Sequence, residues 1–327
     1  MKVLVTGANG FLGAWLTQRL LDEGHQVKAL IRKKSDLSEL QNCKPEYVFG
    51  DVTDKNSLLE NFKNQEVIFH LAGAIGYKKS LRQLMDQVNV QGTQNVIETC
   101  EALKIPKLIH LSSVVAIGSS FKPEILNENS EYSIHNLNLG YFETKKKAED
   151  LVIQAAKQNR IQAVCVNPST VYGFGDAKKG SRKNQVKVAR HELAFYPSGG
   201  VNVVGVEDVI DGIILALKKG KNAERYILAS ENMTIKTLFE NIAKAAAVQP
   251  PTLKIPNWFL HSLGMTGDLL NTFGIRANLS RENAYTASMF HWFDHSKAKN
   301  ELGYNPQPAT LAIENSVRWM HDHGYLK

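Results

Sequence analysis

Along this chain of 327 residues, short apolar runs alternate with longer stretches of helical period. The runs KVLVT (2–6), QVKALI (26–31), EYVFG (46–50), EVIFHLA (66–72), KLIHLSS (107–113) and QAVCVNP (162–168) have strand length and are rich in β-branched residues. Between them FLGAWLTQRLLDEG (11–24), QVNVQGTQNVIETCEALK (87–104) and the stretch from Leu139 to Gln158 carry the helical pattern. Strand, helix, strand in repeated order predicts a parallel sheet with helices on both faces, joined by right-handed crossovers. The expected fold class is α/β, a doubly wound parallel sheet.

After Pro168 the pattern loosens. It reads as a Gly-Gly turn at 199–200, a helix over 206–220, a Pro-bounded, helix-rich region from 234 to 293, and a last helix over 310–324 whose packed face is Leu311, Ile313, Val317 and Met320. The expected organisation is a sheet domain over 1–168, to which the chain returns later, and a smaller, mostly helical substrate lobe with the closing helix over 169–327.

Composition narrows the function. Apolar residues at 43% and charged residues at 22% suit a soluble globular protein, and no apolar run reaches membrane-spanning length. The opening MKVLVTGANG is too short for a secretory apolar region, so the expectation is a cytoplasmic protein with no membrane partner. Cys43, Cys100 and Cys165 stand far apart, and no HxxxH or HxH pair among the ten histidines reads as a metal site, HDHG (321–324) being placed in a terminal helix that ends in solvent, so neither disulfides nor a metal is expected. The net charge of +7 is densest over KKGSRKNQVKVARH (178–191). That block is either a solvated helix face or an attractor for a cofactor phosphate or acidic substrate. It lacks interleaved aromatics, which argues against nucleic acid.

Candidate chemistry starts at VTGANGFLG (5–13), where Gly7, Gly10 and Gly13 lie between the first strand and first helix. Gly7 permits a tight turn, Gly10 lets the backbone approach a pyrophosphate, and Gly13 lets helix and strand pack closely. Phe11 and Leu12 open the helix whose N-terminal amides face the phosphates. This is a dinucleotide-binding fingerprint of the Rossmann kind. The second strand ends at Ile31, followed by Arg32, Lys33 and Lys34 where an NAD-selective site carries an acid. Arg32 and Lys33 would bind a 2′-phosphate, so NADP is the expected cofactor and NAD the alternative.

In LGYFETKKKAED (139–150), Tyr141 and Lys145 are four apart and share one helical face. With the glycine loop, GDVTD (50–54), FHLAG (69–73), VNVQGTQNVIE (88–98), IHLSS (109–113) and NPSTVYG (167–173), this YxxxK pattern resembles the extended short-chain dehydrogenases/reductases, nearest their dihydroflavonol-4-reductase-like branch. The resemblance runs through FDHSKAKNELGYNPQP (293–308) and so covers nearly the whole chain. It implies Tyr141 as general acid/base, Lys145 lowering the Tyr141 pKa and holding the ribose, and Ser113 bonding the substrate carbonyl. It also implies that Asp51 and Val52 border the adenine, that Leu71, Ala72 and Gly73 line the cofactor, and that Asn167, Pro168 and Ser169 lie beside the nicotinamide. Asn89 occupies a position that braces strands, and a homodimer is implied.

The aromatic cluster MFHWFD (289–294) is open between a wall of the substrate pocket and core packing. The leading functional expectation is an NADP-dependent reductase of a ketone or aldehyde on a small molecule. The alternatives are a sugar-nucleotide epimerase or dehydratase using bound NAD, and a non-catalytic dinucleotide-sensing protein. Val114 and Val115, where some sugar dehydratases carry an acidic pair, weigh against the first alternative; an intact Ser113, Tyr141 and Lys145 set weighs against the second.

Overall fold

The computed structural model describes residues 1–178, 182–273, 275 and 279–326. In chain order its strands are β1 (Lys2–Thr6), β2 (Gln26–Ile31), β3 (Glu46–Phe49), β4 (Val67–His70), β5 (Lys107–Leu111), β6 (Ile125–Leu126), β7 (Ala163–Pro168), β8 (Thr170–Tyr172), β9 (Phe195–Tyr196), β10 (Gly200–Gly205), β11 (Arg225–Leu228), β12 (Glu231–Thr234), β13 (Leu253–Lys254) and β14 (Phe290–Phe293). Seven of them form one parallel sheet in the order β11-β7-β5-β4-β1-β2-β3. Six are the expected apolar runs, and β11 is the later return of the chain to the sheet.

The two-residue period decides which helices each strand touches. On β1, Val3 and Val5 pack with Leu16, Leu20, Val209 and Ile213 on one face, whereas Leu4 packs with Val96, Ile97, Val152 and Ala155 on the other. Both faces are covered, so the strands read as nearly unbroken apolar runs. Helices Phe11–Asp22 and Val206–Lys219 cover the first face; Lys55–Asn61, Gly92–Ala102 and Gly140–Lys157 cover the second. The expected helix over 87–104 begins with a π-helical turn, Asp86–Gln91, before its α-helical part. Cys43, Cys100 and Cys165 are all buried and free.

The C-terminal region carries sheet as well as helix. Strand β10 pairs with β8 and β14 in parallel and with β12 antiparallel, and β14 pairs with β6. The expected Gly-Gly turn is therefore the entry to a strand. A Cβ on Gly199 would strike the Ala287 carbonyl and one on Gly200 the Trp292 indole, so close approach, not chain reversal, requires the glycines. In the last helix, Ala309–Asp322, Ile313, Val317 and Met320 are buried but Leu311 is 44% exposed. Leu311 stands roughly 200° from Ile313 around the helix, and Ala309, Ala312 and Ser316 complete the packed face instead. Among the described residues no helix is long and apolar enough to cross a membrane.

Candidate active site

Strands β1 and β4 end side by side, and the chain leaves them in opposite directions across the sheet. That divergence opens a crevice at the carboxyl edge, where doubly wound folds bind ligands. Gly7 makes the first turn with φ +69°, and a Cβ there would lie 2.7 Å from the Ala72 amide nitrogen. A Cβ on Gly13 would collide with the Gly7 carbonyl, so the helix can start only this close to the strand without side chains. Gly10 precedes the helix and no side chain caps it, which leaves the first-turn amides of Phe11 and Leu12 open to an anion. These features fit a dinucleotide pyrophosphate.

A cleft of about 320 Å³ continues from this turn. Of the expected residues, Phe11, Leu12, Leu71, Gly73, Ser113, Tyr141, Lys145, Pro168 and Ser169 line it. Others stand apart from it. Arg32 and Lys33 are exposed beyond the end of β2, in a turn tied to the glycine loop by the Asn9 side chain, which donates to the Asp36 carbonyl at 3.2 Å. Asp51 accepts from the amide and hydroxyl of Thr53, at 2.9 and 2.8 Å, and Val52 is buried with its carbonyl bonded to Asn95. Asn167 lies wholly beneath the cleft, where its amide donates to the Ser113 carbonyl at 3.0 Å and to the Glu149 carboxylate. Its position therefore supports the Ser113 backbone from below.

Helix Gly140–Lys157 brings Tyr141 and Lys145 to one buried face below Ser113. Burial, aided by Tyr77, holds the Tyr141 hydroxyl above the ordinary phenol range, and a hydrogen bond with Ser113 works the other way. The resemblance implied a Tyr141 pKa lowered by Lys145; in this fold burial is the largest influence and sets the opposite direction. Lys145 itself donates to the Leu111 carbonyl at 2.8 Å, and burial lowers it to about 8, opposed by Glu149. Under it, His70 and His110 are register neighbours on β4 and β5 with ring centroids 5.2 Å apart. Burial first and the Lys145 charge second keep both imidazoles neutral, His70 at about 3.

The loop after β4 is held by Asn89. Its carbonyl oxygen accepts from the Ala74 amide at 2.7 Å, and its NH₂ donates to the Ala74 carbonyl at 2.9 Å and to Thr144 at 3.1 Å. The π-helical turn places it there, a common use of that geometry at functional sites.

Tyr77 had no local signal, whereas Arg182 and His291 fall in the basic block and the aromatic cluster that the sequence had left open. Tyr77 packs edge-on to Tyr141 with centroids 6.2 Å apart. Arg182 lines the cleft 4.4 Å over the Tyr172 ring and 3.5 Å from Asp176; the neighbouring residues 179–181 of the basic block lie outside the described residues. His291 lines the cleft from β14 and donates to the Thr286 carbonyl at 2.9 Å, while Met289 and Phe293 of the same aromatic cluster are core. Glu149 did carry a signal: it follows Tyr141 and Lys145 at the same four-residue spacing. It is fully buried and pairs with Arg225 at 2.9 Å. Among the described residues no group of three or more His, Cys, Asp or Glu could hold a metal ion.

Comparison with known proteins agrees with this geometry. Residues 4–237 match the model of the 3-beta hydroxysteroid dehydrogenase/isomerase family. The chain is 30% identical to a putative dihydroflavonol 4-reductase of Synechocystis sp., over 99% of this chain and 95% of that protein. It is 27% identical to sterol demethylase protein B of Methylococcus capsulatus, over the full length of both. Among solved structures, gox2253 is 32% identical with a TM-score of 0.88, covering 99% of each chain. The chain thus belongs to the 3-beta hydroxysteroid dehydrogenase/isomerase family, within the extended short-chain dehydrogenases/reductases, and is an NAD(P)-dependent enzyme of that type.

Proposed function

We propose that this enzyme is an NADP-dependent reductase that converts a ketone or aldehyde of a small, largely apolar molecule to the alcohol. The observation that carries this reading is the Tyr141 hydroxyl, buried in the cleft that Ser113 and Lys145 also line and held by that burial above the ordinary phenol range. A phenol so placed keeps its proton at neutral pH and is poised to donate to a carbonyl oxygen. Ser113 holds that oxygen against Tyr141. Lys145, still protonated below about pH 8, offsets the charge left on the phenolate and holds the ribose hydroxyls. When bound, the reduced nicotinamide supplies the hydride to the carbonyl carbon.

Residues 1–168 hold the cofactor in this reading, and 169–327 mainly read the substrate and close the fold. The exposed Arg32 and Lys33 beside the glycine loop supply the 2′-phosphate contact. An apolar substrate suits the Leu71, Ile75, Val114, Val115 and Phe142 side chains of the cleft. Relatives named for a dihydroflavonol, a sterol and a 2-alkyl-3-oxoalkanoate support the same class.

The test is loss of NADPH absorbance with a panel of hydrophobic ketones and aldehydes, one NADPH per alcohol formed, with Arg32→Asp turning preference toward NADH. Stoichiometric NAD in the purified protein, together with interconversion of sugar nucleotides without added cofactor, would replace this reading with an epimerase. A wild-type preference for NADH would remove the NADP assignment.

A further inference from the structure

Within the aromatic cluster MFHWFD (289–294), His291 is the residue that lines the cleft. The two-residue period of β14 explains why. Phe293 is core and packs with Val114, a residue of the cleft wall, so His291, two positions earlier on the same face, meets the cleft itself. Its ring lies 6.0 Å, centroid to centroid, from that of Phe142, the neighbour of Tyr141. Tyr285 and Met289 pack in one cluster with Tyr141 and Phe142, which fixes this segment against the helix that carries Tyr141 and Lys145. His291 therefore walls the substrate end of the cleft.

Its backbone partner decides what this ring offers a ligand. Nε2 lies 2.9 Å from the Thr286 carbonyl oxygen, which accepts and cannot donate, so Nε2 carries the hydrogen. Burial lowers the imidazole pKa, opposed by that carbonyl, and the ring is neutral at pH 7. A neutral imidazole has one N–H, so Nδ1 is a bare lone pair. Among the described residues Nδ1 has no partner, and it is not sealed away from the cleft. Thr286 lines the same wall and repeats the pattern: its hydroxyl donates to the Glu282 carbonyl at 2.8 Å, so its oxygen also presents only lone pairs. Two adjacent acceptors with their hydrogens spent recognise a donor. That donor is uncharged, because the charged side chains lining the cleft are Lys145 and Arg182 against Asp176, which is already taken up by Arg182 and Ser316. An ammonium would be repelled, and a carboxylate or second carbonyl would set lone pairs against lone pairs. A hydroxyl fits.

We propose that His291 selects a substrate carrying a hydroxyl besides its carbonyl, Nδ1 accepting a hydrogen bond from that hydroxyl. The class is a hydroxy ketone or hydroxy aldehyde, held by its carbonyl at Ser113 and Tyr141 and by its hydroxyl at the β14 wall, with Val114 and Phe142 along the carbon skeleton. Two polar points joined by apolar contact fix which face of the carbonyl meets the nicotinamide. A compound without the hydroxyl leaves Nδ1 desolvated and unpaired, and that cost is what discriminates. The substrate class rests on the reductase reading; the hydroxyl contact is measurable without turnover.

Titration calorimetry on the enzyme saturated with NADP tests it, using 4-phenylbutan-2-one, its ortho, meta and para hydroxyphenyl counterparts, and the methyl ethers of those three. At least one hydroxy ketone should bind ~10-fold or more tightly than both the parent and its own ether, which accepts a hydrogen bond but cannot donate one. His291→Phe should reduce that preference to about 2-fold or less, whereas His291→Asn, which keeps an acceptor at the δ position, should retain part of it. Should His291→Phe not fold, the wild-type contrast of phenol with ether reads the donor requirement by itself. Equal wild-type affinities for parent, phenols and ethers overturn the proposal. So does the absence of binding by any of them, or a preference that survives His291→Phe undiminished. The same compounds with NADPH separate the two readings. Turnover without a hydroxyl preference removes the His291 assignment and leaves the reductase; a hydroxyl preference in binding without loss of NADPH removes the reductase and leaves the hydroxyl contact.

Discussion

Replacing Lys145 by Met should make the protein more stable at neutral pH while destroying its activity. The ammonium is wholly buried, and burial takes its pKa from the ordinary 10.5 to about 8. At about 1.4 kcal/mol per pH unit, keeping the charge inside costs about 3 kcal/mol. Methionine keeps most of the stem and loses the bond to the Leu111 carbonyl, which offsets about 1.5 kcal/mol of the gain. Glu149 is not stranded, because Arg225 and Asn167 still hold it. The net expectation at pH 7 is a gain of about 1.5 kcal/mol, or about 2 °C in melting temperature for a chain of this size. The sign changes with pH. Between pH 8 and 10.5 the unfolded wild type binds a proton that the folded wild type releases, so wild-type stability rises through that window and the variant's does not. The order of stability should therefore invert before pH 10.5. Thermal melts of both proteins from pH 7 to 10.5 measure this; a variant less stable at pH 7, or a gap that does not change with pH, would refute a buried charged Lys145.

Two further substitutions probe the site. Tyr141→Phe should leave NADPH binding nearly intact and cut turnover by at least ~10²-fold, and near-normal turnover on a verified substrate would place the proton donor elsewhere. Asn89→Ala removes the acceptor of the buried Ala74 amide along with two donated bonds, and should cost about 2–3 kcal/mol in thermal unfolding and loosen the cofactor beside Gly73; unchanged stability would deny it the bracing role.

What the sequence determined by itself is what local periodicity and steric necessity control. Strands buried on both faces must be unbroken apolar runs, so six strands of the main sheet stand within a few residues of the runs that announce them. Only glycine fits the Gly7 turn and the Gly13 contact, and only a helix puts Tyr141 and Lys145 on one face, so the two halves of the site were legible as motifs. Tertiary structure decided whatever depends on which surface is covered. Leu311 belongs to an apolar pattern yet faces solvent; Gly199 and Gly200 look like a turn yet yield to the backbone of Ala287 and the ring of Trp292. Asn167, next to Pro168 in the chain, points below the cleft that Pro168 lines. The Tyr141 hydroxyl was expected to be acidified by the cation four residues away, but the depth of its burial, set by Tyr77 and the rest of the packing, raises it instead. Periodicity says which side chains share a face; only the neighbours brought in from distant parts of the chain say whether that face meets protein, water or ligand, and desolvation follows from that.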